Sequence, residues 1–329
     1  MVRSFLGKGL LISVLTLLVA SCNEGVTVTS DPEAAPGATA TGTTITGTIV
    51  VADISDEPAQ KIEEYQPFID YLATQLDDVG INSGQVEVAP DMATMADWLA
   101  SGKVDIYFDS PYPSLIVGEL SGAQPVLRRW KDGVAAYRTV IFVQADSEFA
   151  TINDLKGQMV AFEDPFSTSG YMLPLAYLIE VGMTLVEKPD VDAQLAADQV
   201  GYVFSDAHEN SIQWVLSGKV AAAAVAYPDF LEIPADIRQK LTILAETEPL
   251  PRHLVMLSPT LSSEEAAAIR SALLTMDESD TGRAVLVAFE RTTQFDEFPE
   301  GAEQALSRMR ALYSLTQNQG AGAATDGED

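Results

Sequence analysis

The sequence predicts an α/β protein of two lobes. Three observations predict it: a strand, helix, strand, helix, strand series opens the folded part, the same alternation restarts at Thr151, and strand-like segments lead back into a helical C-terminal stretch. The first series begins with the apolar run Thr48 to Ala52. A helix follows over about Ala59 to Leu76, with Ile62, Tyr65, Ile69, Leu72 and Leu76 at helical spacing. Gln85 to Ala89 alternates as a strand, Asp91 caps a helix that Ser101-Gly102 ends, and Val104 to Phe108 is the third strand.

Two strand-like stretches, Gln124 to Trp130 and Ala136 to Gln144, join through the turn Lys131 to Val134. The second series then runs through a short helix stopped at Gly157, the strand Met159 to Phe162, and a helix to about Val181. A strand near Gly201 to Phe204, a helix from about Ala207 to Leu216, and the strand Val220 to Ala226 complete it. Strands Leu241 to Ala245 and Leu254 to Leu257 flank a loop from Glu246 to His253. Helices at Ser262 onward, Thr281 to Glu290 and Glu300 to Ser314 are expected to pack on the first lobe. The expected lobes are residues 45–140 plus 248–315 and residues 141–247, hinged at two crossovers.

The chain ends lie outside this pattern. Residues 1–21 read as a secretory signal: Arg3 and Lys8 precede a short apolar run from Gly9 to Ala20, well below the ~20 residues of a membrane-spanning helix. Cys22 is the single cysteine of the chain, so an intramolecular disulfide and a thiolate metal cluster are both excluded. Its place after Val19-Ala20-Ser21 resembles a bacterial lipobox, which would make Cys22 a lipidated first residue; an ordinary signal with a chance cysteine is the alternative. Residues 22–44, rich in Thr, Gly, Ala and Pro, read as a tether, and residues 316–329 as a disordered acidic tail.

The formal net charge is −29, from 48 acidic and 19 basic residues. Such a surface excludes nucleic acid and anionic membranes as partners. The two histidines, His208 and His253, offer no metal-ligand spacing and no Ser-His-Asp arrangement, so neither an enzyme nor a metal or cofactor is expected.

One segment does carry binding chemistry. Ser167, Thr168 and Ser169 put successive hydroxyls at the entrance to a helix, where the first-turn N–H groups and the helix dipole favour an anion. Charge-assisted bonds of this kind contribute about 1.5–3 kcal/mol each, so a few would hold a small tetrahedral oxyanion without a net positive charge. Pro174 places the open turn at Ser169 to Leu173. His208 starts the next helix, with Asp206 in the N-cap position and Glu209 in the capping-box position.

Several segments together resemble the phosphate, phosphite and phosphonate class of periplasmic binding proteins that serve ABC importers. They are Glu57-Pro58-Ala59 with Tyr65-Gln66-Pro67-Phe68; Ser101-Gly102-Lys103-Val104-Asp105; Tyr137-Arg138-Thr139-Val140-Ile141; Asp154-Leu155-Lys156-Gly157; Asp164-Pro165-Phe166-Ser167-Thr168-Ser169-Gly170-Tyr171; and His208-Glu209 before Ser217-Gly218-Lys219-Val220. The resemblance implies a type II periplasmic binding protein fold and capture of a small phosphorus oxyanion between the lobes. It also implies an ABC permease as partner, export with anchoring at the membrane through Cys22, and a monomer. A sensing lobe for a signalling system, or an importer component for a sulfonate or other small anion, are the other readings.

By that resemblance Ser167, Thr168, Ser169 and His208 face the ligand. Ser110, Tyr112 and Tyr227 are plausible further donors. Phe108-Asp109-Ser110 departs from the family's usual aromatic and glycine, and Asp109 stands open between receiving a ligand ammonium, hydrogen-bonding a protonated acid, and capping a turn. The alanine run Ala221 to Ala224 leaves the rest of the ligand unread.

Overall fold

A computed structural model describes residues 47–322, with side chains described to residue 317. The signal, Cys22 and the tether expected over 22–44 lie outside the described residues. No helix among the described residues is long and apolar enough to cross a membrane.

The first series is β1 (Thr48–Ile54), α1 (Pro58–Thr74), β2 (Ser83–Ala89), α2 (Met92–Ser101) and β3 (Ile106–Asp109). β1 lies parallel to β2 on one side and to β3 on the other. α1 starts on Pro58, whose missing N–H costs nothing in a first turn, and buries Tyr65, Phe68, Ile69 and Leu72. The Asp91 carboxylate accepts Thr94 N–H at 2.7 Å and caps α2. Next comes a helix that its prolines conceal in the sequence, α3 (Pro111–Ser121); both prolines sit in its first turn, where they are tolerated.

β4 (Gln124–Lys131) and β5 (Ala136–Tyr137) lead to the second lobe, built from β6 (Thr139–Gln144), β7 (Met159–Phe162), α4 (Leu173–Glu180), β8 (Thr184–Glu187), β9 (Gln199–Phe204), α5 (His208–Leu216), β10 (Ala222–Ala226), α6 (Tyr227–Glu232), α7 (Ala235–Arg238) and β11 (Leu241–Glu246). The chain returns through β12 (Leu250–Pro251) and β13 (His253–Leu257), then closes with α8 (Ser263–Leu274), α9 (Asp280–Ala288), β14 (Thr292–Asp296) and α10 (Ala302–Gly322). Ser262 and Glu265 form a reciprocal capping box at the start of α8.

Two six-stranded mixed sheets result, in the orders β14-β4-β13-β3-β1-β2 and β11-β6-β10-β7-β9-β8. β14 and β8, which the sequence reading does not name, are both edge strands, where one-sided burial weakens the apolar signal. The two crossovers lie side by side: β12 pairs antiparallel with β5, Leu250 opposite Tyr137, and Thr247 N–H donates to Thr139 O at 2.9 Å. This ribbon is the hinge.

Two expectations about the C-terminus change. α10 runs through Gly322, past the expected tail boundary at 316, and Thr316 is buried with its hydroxyl donating to Tyr313 O. α10 also packs on both lobes instead of the first alone. Its Leu306, Met309 and Leu312 join one apolar cluster with Tyr112 and Leu115 of α3 and with Leu173 and Ala176 of α4. Arg308 extends the bridge by pairing with Glu180, at the end of α4, and with Glu248 in the crossover.

Candidate binding site in the cleft

The lobes meet at the carboxyl ends of β3, β7 and β10, the place where open α/β sheets present loops and helix starts to a ligand. A cavity of about 300 Å³ lies there, lined on the second lobe by Ser167, Thr168 and Ser169 and on the first by Asp109, Ser110 and Pro113. Its size is at the low end for ligand sites, which suits a small solute. Hollows of about 430 Å³ beside Lys219 and about 530 Å³ beside Arg308 are larger but not lined by a run of hydroxyls at a helix start.

The hydroxyl segment folds as a π turn, Thr168–Met172, that continues directly into α4. Ser167 caps it, its Oγ accepting Gly170 N–H at 2.9 Å and donating to Glu163 Oε2 at 2.8 Å. The wide turn delays the first intrahelical bond, so Met172 N–H reaches back to Ser167 O. Gly170 is required by closeness: a Cβ there would lie 2.4 Å from Glu163 Cβ and 2.9 Å from Ser167 Oγ.

Thr168 is committed to the opposite lobe. Its Oγ1 accepts Tyr112 N–H at 2.8 Å and donates to Ser110 Oγ at 2.9 Å. These bonds close the cleft from wall to wall. Thr139 Oγ1 donates to Ser169 O at 2.7 Å and pins the turn from behind.

Of the other residues expected at the site, Asp109 and Ser110 line the cavity, while Tyr112, Tyr227 and His208 do not. The Tyr112 ring turns toward Tyr171 and Tyr313 in the apolar cluster between the lobes, and burial pushes its hydroxyl up to about 12. Tyr227 lies under the Arg138 guanidinium, 3.8 Å from its ring centroid, and Arg138 in turn pairs with Glu246. His208 is half-buried behind Glu163, with Nδ1 3.9 Å from Glu163 Oε1 and Nε2 3.2 Å from Glu209 Oε1. The expected cap is corrected: Ala207 is the N-cap of α5, without a side-chain bond, because Asp206 takes a left-handed conformation (φ 67°). Glu209 meets the His208 imidazole instead of closing a capping box.

Three lining groups escape the sequence reading: Tyr137, Arg252 and His253, all from the hinge. Arg252 N–H donates to Ala135 O at 2.9 Å, and the Arg252 guanidinium carbon stands 5.2 Å from the Tyr137 ring centroid. Arg252 Nε and His253 Nδ1 are buried without a protein partner. Burial, with the cations Arg129 and Lys131 nearby, pushes His253 well below its ordinary value, so its ring is neutral. The expected site without a positive charge is therefore revised, because the pairing of β5 with β12 brings Arg252 to the cavity. The only signal in the sequence is a lone basic residue inside the crossover Pro249 to His253.

Acids surround this cation. Glu163, Asp164 and Asp229 line the second-lobe side, and burial raises both Glu163 and Asp229. Asp229 follows the alanine strand β10 and puts a carboxyl group on that wall, beyond the alanine run. Asp109 does not cap α3; its Oδ1 accepts Ser110 N–H at 2.6 Å and its Oδ2 accepts the Tyr107 hydroxyl at 2.5 Å. Burial pushes Asp109 up to about 6.

Residues 51–300 match the family model for the phosphonate periplasmic substrate-binding protein of ABC transporters. The chain is 32% identical over 181 residues to the phosphate-import protein PhnD of Mycolicibacterium smegmatis, an alignment covering 52% of each protein. It thus spans about half the length of that curated relative. Among solved structures it is similar to XAC2383 from Xanthomonas citri bound to chloride, with a TM-score of 0.76 at 24% identity over 83% of this chain and 100% of that one. It is also similar to PhnD1 from Prochlorococcus marinus in complex with methylphosphonate, with a TM-score of 0.57 at 15% identity over 83% and 99%. These likenesses establish the type II periplasmic binding protein fold. The family is one of solute-binding proteins, not enzymes, and this chain belongs to it: the periplasmic phosphonate substrate-binding proteins of ABC transporters.

Proposed function

We propose that this protein is the solute-capturing component of an ABC importer and that it closes on a small phosphorus oxyanion: a phosphonate, phosphite or phosphate. The observation that carries the reading is the Ser167–Ser169 turn at a helix start, set across a cavity of about 300 Å³ from Arg252. The Thr168 and Ser169 N–H groups at the start of the turn supply directional donors, the helix dipole adds favourable potential, and Arg252 adds a fixed positive charge at the cavity. Arg252 Nε, buried without a protein partner, is a donor that a ligand oxygen would satisfy.

In this reading solute enters while the lobes stand apart, and the second-lobe turn takes it first. Rotation about the β5–β12 ribbon then brings Arg252, Tyr137 and the β3 end against it. Thr168 locks the closed form by bonding Ser110 and Tyr112. A membrane permease would read that closed form. His208 acts from behind Glu163, holding that carboxylate and through it Ser167; Tyr112 and Tyr227 shape the lobe contact and the hinge.

The protein is exported, works as a monomer and is anchored through a lipid on Cys22, whose place after Val-Ala-Ser supports the anchor. Titration calorimetry of the purified protein against phosphate, phosphite, methylphosphonate, aminoethylphosphonate and sulfate tests the capture. Heat from at least one phosphorus ligand, abolished by joint Ser167→Ala, Thr168→Ala and Ser169→Ala replacement, is the expected result. No binding by any of them would refute it. Retention of a Cys22→Ser variant in the membrane fraction would refute the anchor.

A further inference from the structure

The cavity contains a group that gripping an oxyanion does not require. Asp109 ends β3 and faces the cavity from the first lobe. Protein donors already hold both of its oxygens, Ser110 N–H on Oδ1 and the buried Tyr107 hydroxyl on Oδ2, and the Ser110 hydroxyl adds a third bond. A carboxylate offers about four acceptor positions, so at least one stays open to a ligand. These donors fix the carboxyl plane, and the group cannot swing away from an arriving ligand. An ionised carboxylate against an anionic oxygen is repulsive; with one proton between them the contact becomes a hydrogen bond.

We propose that Asp109 makes the cleft a proton-sharing site, selective for oxyanions that carry an acidic P–OH and excluding fully ionised oxyanions such as sulfate and the sulfonates. The proposal rests on the oxyanion reading above and adds to it the chemical class that is admitted. The proton is supplied in either of two ways. A ligand P–OH donates to ionised Asp109, or protonated Asp109 donates to a ligand P–O⁻; both arrangements hold one proton, and neither forms or breaks a covalent bond to phosphorus. Sulfate offers no proton at ordinary pH, so it reaches only the second arrangement.

The charges facing Asp109 act in the same direction. On its own strand Tyr107 donates to it, and from β1 the Asp53 carboxylate adds repulsion. From the hinge, Tyr137 is kept protonated, its hydroxyl pushed up to about 12 by burial, and His253 is neutral, which leaves Arg252 as the cation. From the second lobe Glu163, Asp164 and Asp229 complete an acid-rich lining. A ligand charge that arrives without a proton meets four carboxyl groups and one guanidinium. Burial is the main cause that holds Asp109 near 6, so ordinary pH spans its titration.

Calorimetry of the full-length protein with inorganic phosphate, methylphosphonate and sulfate, from about pH 5 to about pH 8, tests this. Sulfate affinity is expected to fall about tenfold per pH unit above about 6, while phosphate and methylphosphonate affinities change far less. In Asp109→Asn the sulfate slope disappears, and the phosphate-to-sulfate preference at about pH 8 collapses by about 10- to 100-fold, because the amide donates without titrating. Parallel pH profiles for phosphate and sulfate in the unaltered protein would overturn the proposal, as would an unchanged preference in Asp109→Asn. The unaltered profile decides the matter if the variant fails to fold by circular dichroism. Absence of all phosphorus ligand binding at every pH is the distinct result that overturns the capture reading as well.

Discussion

The two walls of the cleft are made in different ways. Most of the second-lobe wall is one continuous stretch, Glu163 to Gly170, joined by Ala226 and Asp229 and held by bonds among its own residues: Ser167 to Glu163, Gly170 to Ser167, and Glu163 N–H to Gly170 O. The first-lobe wall is assembled from the end of β3, the β5 ribbon and the start of β13, segments far apart in the chain. It also stands on charge. Behind His253 lies fully buried Arg129, opposite it in the β13–β4 pair, with Glu290, Lys61, Lys131 and Asp53 around it. A local wall tolerates damage elsewhere; an assembled wall depends on every strand that positions it.

The largest effect is expected where that dependence is greatest. Burial works to raise the Glu290 carboxyl, but Arg129, Lys131 and Lys61 outweigh it and hold the group well below the usual carboxylate range. A depressed carboxyl contributes stability that is fully present above its ordinary pKa of 4.5 and is lost as pH falls through the folded value. Glu290→Gln strands the Arg129 charge and should cost about 3–5 kcal/mol in denaturant unfolding at neutral pH. The cost should shrink on acidification below the ordinary carboxylate pKa, as the unaltered protein loses the same charge. A loss under about 1 kcal/mol would mean that the network is incidental to the fold.

Next in size is Arg252→Ala. Removing one partner of a desolvated charge contact costs about 2–5 kcal/mol, so the affinity for a phosphorus oxyanion should drop at least about 30-fold in calorimetry. Unchanged affinity would return the anion to neutral donors alone and erase the contrast between the walls. Smallest is Thr168→Val, which keeps the shape and removes the hydroxyl between the lobes. The Tyr112 N–H then loses its acceptor, at about 1–3 kcal/mol. Small-angle scattering of the unliganded variant should show a larger radius of gyration than the unaltered protein; an equal radius would mean that the α10 bridge, not Thr168, holds the lobes together.

Legibility in the sequence followed the same division. Local alternation and caps exposed most elements, since Asp91, Ser262 and the apolar periods act within a few residues of where they are written. The hydroxyl turn was legible for the same reason: its serines, threonine and glycine are contiguous and build their own geometry. Edge strands β8 and β14 were not, because a strand covered on one side lacks a sustained apolar run. His208 and Tyr227 were expected to face the ligand and are not among the residues that line the cleft cavity, since a helix start or a strand end specifies position along the chain but not which neighbour the side chain meets.

The sequence by itself determined the two-lobed α/β order, the anion-favouring turn at Ser167 to Ser169 and the departure at Asp109, all of them features of consecutive residues. Tertiary structure alone decided that Arg252, Tyr137 and His253 join that turn, that Asp109 is held by Tyr107 at an acid-rich cleft, and that α10 spans both lobes. The physical reason is that charge, burial and hydrogen-bond partnership at the first-lobe wall come from strand pairing between distant segments, and the pairing of β5 with β12 is written in neither segment alone.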